Sequence, residues 1–165
     1  MPKRVAAPDY CMIARAMDVL GEQWTLLIVR DAFFGVRHFD EFQRNLGIAR
    51  NVLATRLAKL VDEDILTRET HPEDRRKVEY RLTERGRDLL PVIIALTQWG
   101  GRWKRLPEEL AAFRMVDRET GEPLARMEVR ARDGRVLAAR DLKIVPGPGL
   151  TDAIRQTVPA LRNAA

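Results

Sequence analysis

A single cysteine, Cys11, stands among 165 residues, which excludes an intrachain disulfide and suits a reducing cytoplasm. Only two histidines occur, His38 and His71, and no His/Cys pair has catalytic spacing. A glycine-rich phosphate loop is missing, and no motif marks a water-excluding pocket, so the sequence argues against an enzyme and needs no cofactor. Long apolar runs are missing as well. The stretch Leu89 to Leu96 is too short to span a bilayer, and the opening residues MPKRVAAP lack the apolar core of a signal peptide, so no membrane partner is expected.

What is present is basic charge. A net charge of +5 and a pI near 9.9 favour a polyanionic partner without naming it. The length suits one domain plus an appendage.

The segment from Phe39 to Gly86 orders itself as helix, tight turn, helix, two short strands and a further helix. Phe39, Phe42 and Leu46 recur at the spacing of one helix face, and Gly47 is the stop signal that follows. After Ile48, the residues Leu53, Leu57, Leu60 and Val61 make a second apolar stripe across Ala49 to Glu63. Two short helices joined through one glycine and one buried aliphatic make a helix-turn-helix. Turning about 100° per residue from Leu53 puts Asn51, Thr55, Ala58, Lys59 and Asp62 on the opposite, wet face, with Arg50 at the helix start free to swing out. Asparagine pairs well with adenine and arginine with guanine, so Arg50 and Asn51 are candidate base readers, and Thr55 can meet a thymine methyl or a phosphate.

Ile65 to Thr70 and the alternating Val78 to Leu82 read as the strands of a hairpin. Between them runs His71-Pro72-Glu73-Asp74-Arg75-Arg76-Lys77, in which Pro72 and Asp74 mark the turn. Arg75, Arg76 and Lys77 suit phosphate contact, joined by Arg37 and Lys59. His71 beside Glu73 and Asp74 reads as a solvated polar residue rather than a metal or acid-base cluster. Helix, turn, helix and hairpin together are the layout of a winged helix-turn-helix, a module that reads duplex DNA.

Thr83 is an N-cap for the next helix, which runs on through Leu89 to Trp103. Pro91 lies inside it and should kink or split it. Leu89, Val92, Ile93, Leu96, Trp99 and Trp103 exceed what one side of a single helix buries. The surplus suggests a partner helix and hence a homodimer.

Beyond Trp103 the segments Phe113 to Asp117, Leu124 to Arg132 and Val136 to Val145 alternate, with turns at Glu119 to Pro123 and Arg132 to Arg135, so residues 111–146 read as a small three-stranded antiparallel sheet. Pro146-Gly147-Pro148-Gly149 then leads into a short helix from Thr151 to Val158. The sheet either caps the dimer and supports the long helix or serves as a sensing or partner-binding surface.

These residues resemble the HxlR-type winged-helix transcriptional regulators of bacteria. The resemblance covers about Cys11 to Trp103 and is carried by GEQWTLLIVRD, RHFDEF, VEYRLTERG and TQWG. It implies a homodimeric, cytoplasmic DNA binder that represses or activates nearby promoters. Cys11 aligns with a cysteine that in some members resembles a sensor of oxidants or electrophiles; the plainer reading is a small residue packed beside Ile13, Ala14 and Met17. Two departures stand out. Most relatives have glycine where this chain has Asp64, and many have a proline-rich wing where this one reads Asp74-Arg75-Arg76-Lys77. The tail resembles an extension that elsewhere carries paired cysteines, and without them four-ligand zinc binding is out.

The expectation is therefore an α+β chain. Residues 1–105 form a winged helix-turn-helix domain with a long C-terminal dimerisation helix, and residues 106–165 a small antiparallel β-sheet appendage ending in a short helix. Its partners are double-stranded DNA and a second copy of itself, and its role is that of a repressor open to redox control or to a small-molecule effector. The alternative is a winged helix that binds protein. Clustering of Arg37, Arg50, Lys59, Arg75, Arg76 and Lys77 on one face would favour nucleic acid; scatter would favour protein.

Overall fold

The computed structural model describes residues 10–70, 77–104, 114–157 and 159. The expected wing tip from His71 to Arg76 lies outside the described residues, as does the segment 105–113. The chain divides into two compact units, residues 1–112 and 113–165.

In the first unit, α1 (Met12–Leu20), α2 (Thr25–Phe33), α3 (Phe39–Leu46) and α4 (Arg50–Asp62) precede the antiparallel pair β1 (Leu66–Thr70) and β2 (Val78–Leu82). Then come α5 (Glu84–Arg87) and α6 (Leu90–Trp103). Apolar spacing sets which faces meet. Ile28, Val29 and Ala32 of α2, Phe42 of α3, and Leu53, Leu57 and Leu60 of α4 are buried in one core with Ile48, Ile65, Leu66, Tyr80 and Ile93. A fully buried side chain of this size is worth roughly 1.5–3 kcal/mol, so this cluster is what holds the helices against the hairpin. The Phe42 and Tyr80 rings meet edge to face with centroids 6.4 Å apart, which fixes the depth at which the hairpin sits on α3.

Gly47 ends α3 in the left-handed region, with φ 62°, as its place after Leu46 predicts. Asp64 does the same service after α4 with φ 54°, and is the one non-glycine at positive φ among the described residues. An aspartate tolerates that conformation better than most side chains. Around it the backbone closes on itself. Thr83 Oγ1 donates to the Asp64 carbonyl (2.6 Å) and accepts from the Gly86 N–H (2.9 Å), while the Thr83 N–H donates to the Ile65 carbonyl (3.1 Å). Gly86 lies so near β1 that a Cβ there would come 2.2 Å from the Ile65 carbonyl oxygen. This position has no positive φ; glycine is required by contact alone.

Pro91 splits the expected long helix in two. The chain turns at Asp88 and Leu89, and Pro91 occupies the first turn of α6, where its missing N–H has no intrahelical role. The split rotates Ile93 into the core, where it is 5% exposed. Ile93, expected at a subunit interface, packs instead on the inner face of α6 within this chain, where an aliphatic side chain meets the core.

The second unit differs from the three-stranded sheet expected of it. Among its described residues there are two isolated antiparallel bridges, Val116 with Pro123 and Arg130 with Val136, and no strand. Both turns form. Gly121 and Gly134 take positive φ, and the second turn uses a wider loop, closed by the Ala131 N–H on the Arg135 carbonyl (2.9 Å), rather than a two-residue turn. A 3-10 turn at Ala139–Asp141 replaces the continuation of the third strand, and α7 (Asp152–Thr157) follows the Pro/Gly segment. Alternating residues alone do not make a sheet; Val129, Val136, Ile144 and Val145 are exposed here and have no apolar layer to cover them.

Two substitutions test the closure around Asp64. Asp64→Gly should leave stability against urea equal or up to about 1 kcal/mol higher, because relief of the left-handed penalty outweighs the unfolded-state entropy that glycine adds. Gly86→Ala should lower stability by on the order of 3 kcal/mol, because backbone must move to admit the methyl. An unchanged midpoint for Gly86→Ala would mean that α5 and β1 approach less closely than described.

Candidate nucleic-acid interface

The second helix of the motif, α4, begins at Arg50 with no side-chain cap from Ala49. Asn51, Ala54, Thr55, Ala58 and Asp62 are exposed along it. Thr55 Oγ1 donates to the Asn51 carbonyl (2.9 Å), which leaves its methyl and lone pairs outward. Asn51 and Thr55 therefore stand where the sequence puts them, on the open face near the helix start.

Lys59 departs from that face. It is turned about 80° from Asn51 around the helix, on the shoulder rather than the crest. There its ammonium donates to the Asp18 carbonyl at the end of α1. Arg56, one turn back on the same shoulder, pairs with Glu22 at 2.8 Å. These two contacts join α4 to α1 and its exit. Arg37 also meets carbonyls: its Nη1 donates to the Ala32 (2.7 Å) and Val36 (2.9 Å) carbonyls, closing the α2–α3 turn. The corresponding backbone carbonyl accepts from Tyr80 N–H (2.8 Å), which docks β2 beside that turn. Carbonyl oxygens left open near helix ends attract cations, and Arg37 and Lys59, both half-buried, meet such oxygens here.

Arg50 lies with its guanidinium 4.7 Å from the centre of the Phe39 ring and 3.4 Å from the Asp40 carboxylate. It borders a groove of about 420 Å³ lined by His38, Phe39, Asp40, Arg50, Arg68, Lys77, Val78 and Tyr80. The groove runs between the start of α3, the first turn of α4 and the base of the hairpin. Arg50 and Lys77 of the expected set converge here, and Arg68 joins them unforeseen. Its signal was the strand period: Arg68 pairs with Tyr80 in the ladder, so both point to the helix side of the hairpin. Arg75 and Arg76 lie outside the described residues.

The groove wall is held by the start of α3. His38 Nδ1 is 3.1 Å from the Val78 carbonyl, joining α3 to β2. Glu41 reaches back so that its carboxylate accepts from the N–H groups of His38 (3.0 Å) and Arg37 (3.1 Å), satisfying amides the helix leaves open. The His38 bond, then the Arg37 bond, hold its carboxyl below the ordinary value of 4.5, against a smaller opposing effect of burial.

Elsewhere, Cys11 is half-buried at the N-cap of α1 with no side-chain cap bond. A second concavity, about 680 Å³, opens between α1 and the corner formed by Glu63, Ile65, Arg85 and Leu89. Among the described residues no group of His, Cys, Asp and Glu could hold a metal ion, and no helix is long and apolar enough to cross a membrane.

Helix, turn, exposed second helix and an adjoining two-stranded hairpin define a winged helix-turn-helix, the fold class of this chain. Residues 19–108 match the family described as HxlR-like helix-turn-helix, and the chain belongs to that family. It is 41% identical over 137 residues to Rv3095 of Mycobacterium tuberculosis, an uncharacterized HTH-type transcriptional regulator, across 83% of this chain and 86% of that one. Among solved structures, the transcription-factor candidate PA1607 superposes with a TM-score of 0.78 at 42% identity, over 84% of this chain and 96% of its own. The redox regulator HypR, in its reduced form, gives a TM-score of 0.53 at 29% identity over 60% of this chain and 99% of its own. The protein is thus a winged-helix transcriptional regulator of the HxlR type.

Glu41 makes the start of α3 acid-sensitive. Because its folded value is depressed, its contribution is present above the unfolded value of 4.5 and is lost as pH falls through the folded value. Glu41→Ala should therefore be less stable than wild type at neutral pH, by thermal melting, and the gap should narrow as pH falls below the ordinary value of 4.5. A gap that stays constant across that range would show that the carboxylate's charge is not what holds the turn.

Proposed function

We propose that the protein acts as a homodimer that binds a pseudo-palindromic operator sequence-specifically and represses the adjoining promoter from the cytoplasm. The observation that carries this reading is the exposed face of α4, with Asn51 and Thr55 near its start, set beside a basic groove at the foot of the hairpin. Small polar side chains on the crest of the helix can enter a major groove, and cations beside it can meet the flanking backbone. Arg50 and Lys77 of the expected cations, with Arg68, border one groove, and that favours nucleic acid over a protein partner.

The dimeric part rests on apolar surface. Met12, Ile13 and Met17 of α1 and Leu90, Val92, Leu96, Trp99 and Trp103 of α6 are exposed large hydrophobics. Two helices so clad are suited to pairing with the same helices of a second copy, which removes that surface from water. Such a dimer would hold two α4 helices about one DNA turn apart, some 34–36 Å. Cys11, at the head of α1, is the thiol through which an oxidant would act on this interface; the redox regulator HypR among the relatives supports that part, and a Cys11→Ser protein whose DNA affinity still responds to diamide as wild type does would end it.

The primary test is a salt-dependent mobility shift on the protein's own upstream DNA with random duplex as competitor. Preferential retention that weakens steeply with salt is expected, and Asn51→Ala should relax preference at one base position, at about 1–3 kcal/mol. Unchanged operator preference in Asn51→Ala would place the helix in a different register. Trp99→Glu should sediment as a monomer and bind a single half-site better, relative to the full operator, than wild type does; a dimeric Trp99→Glu would move the interface off α6.

A further inference from the structure

The two sides of the hairpin carry opposite charge, and strand pairing is what separates them. In the ladder Leu66 faces Leu82, Arg68 faces Tyr80 and Thr70 faces Val78, while Thr67 faces Arg81 and Glu69 faces Glu79. Partners across an antiparallel pair share a side, so the first set lies toward the helices and the second lies away. Tyr80 and Leu66 on the inner side are buried, which anchors the assignment. On the outer side Arg81 is 2.5 Å from Glu79 and 4.0 Å from Glu69, so two acids enclose one cation. On the inner side Arg50 and Arg68 border the groove with a single acid, Asp40, and Lys77, one residue ahead of β2 and outside the ladder, also lines it. No acid pairs with Arg68 or Lys77 among the described residues. The one pair across the groove, Arg50 with Asp40, is 3.4 Å long with both side chains more than 70% exposed, and a pair of that kind is readily exchanged.

We propose that this groove seats one backbone phosphate of the bound DNA, gripped by Arg68, Lys77 and Arg50, and that Arg50 is consequently a backbone contact and not a base reader. The assignment rests on the DNA-binding reading above and names the residues that orient it. The ring of Phe39 lies under the Arg50 guanidinium, which holds that plane toward the groove and away from the crest of α4 where Asn51 and Thr55 lie. A guanidinium so stacked keeps its edge N–H groups for a planar fork onto phosphate oxygens. Lys77 adds a point charge from the hairpin, and Arg68 reaches up from the inner side of β1 above the buried Tyr80. His38, bonded to the Val78 carbonyl at 3.1 Å, holds the two walls at a set spacing. The outer side of the hairpin, with Glu69 and Glu79, repels the same polyanion. Arg81 and Arg68 are therefore not equivalent, although they sit on paired strands.

The test compares Arg68→Ala, Arg81→Ala, Arg50→Ala and the charge-keeping Arg68→Lys as full-length proteins, each checked by thermal melting for a wild-type fold. Affinities for a labelled duplex of the upstream DNA and for a random duplex are read by anisotropy across a KCl series. Arg68→Ala and Arg50→Ala should each weaken both duplexes alike, by roughly threefold to tenfold, and reduce the slope of log K against log salt by about 0.9. Arg68→Lys should keep the slope, and Arg81→Ala should stay within about twofold of wild type. Wild-type binding that is insensitive to Arg68→Ala, or that falls equally with Arg81→Ala, overturns the groove. An Arg50→Ala loss confined to the upstream duplex overturns the reassignment of Arg50. Failure of the wild type to bind either duplex overturns the DNA-binding reading itself, and the phosphate seat with it.

Discussion

Both ends of the hairpin are pinned at one place, and the geometry of the interface depends on that pin. Thr83 bonds the Asp64 and Ile65 carbonyls and receives the Gly86 amide, while Arg85 Nη1 donates to the Glu63 carbonyl at 2.7 Å. The end of α4, the start of β1, the end of β2 and the start of α5 thus meet within a few hydrogen bonds. Bonds of this kind contribute only about 1 kcal/mol each, but leaving those carbonyls unpaired would cost more, so the corner closes as a unit. A hairpin held only by its own ladder would be marginal. Held here, it keeps one angle to α4, and the groove between them has a shape.

A second set of contacts joins the reading helix to α1. Arg56 with Glu22 and Lys59 with the Asp18 carbonyl lie on the shoulder of α4, and α1 carries exposed methionines and an isoleucine on its outer surface. The exposed apolar surface of α1 is therefore only a few side-chain contacts from α4. The spacing of paired reading helices would then follow from how α1 and α6 pack.

Much of the helix-turn-helix was legible because its signals are local. Phe39, Phe42 and Leu46, then Gly47, then Leu53, Leu57 and Leu60 declare two helices and the turn between them, and Pro91 declares a break. The cations were less legible because a charge does not say which acceptor it will find. Arg37 and Lys59 look like any exposed basic residue, yet each reaches open carbonyls at a helix end, the latter across 41 residues of chain. Arg68 and Arg81 could be told apart only through the register that places one opposite Tyr80 and the other opposite Thr67. Gly86 gave no sign, since the need for it is a backbone oxygen 21 positions away in the sequence. The tail misled for the opposite reason: its alternation is real, but a strand needs a layer to bury one side against, and the second unit supplies none for Val129 or Ile144.

The charge difference across the hairpin also has a kinetic meaning. Opposite charge on two sides of one thin element is a transverse dipole, and near a polyanion a dipole feels torque as well as attraction. At physiological salt the field is screened over about 8 Å, so that torque acts only in the last approach. On the proposed docking, a molecule arriving with Glu69 and Glu79 foremost would be repelled, and one arriving with Arg68 foremost would have α4 toward the duplex. On that reading the hairpin would bias orientation during the approach, before a single base is touched.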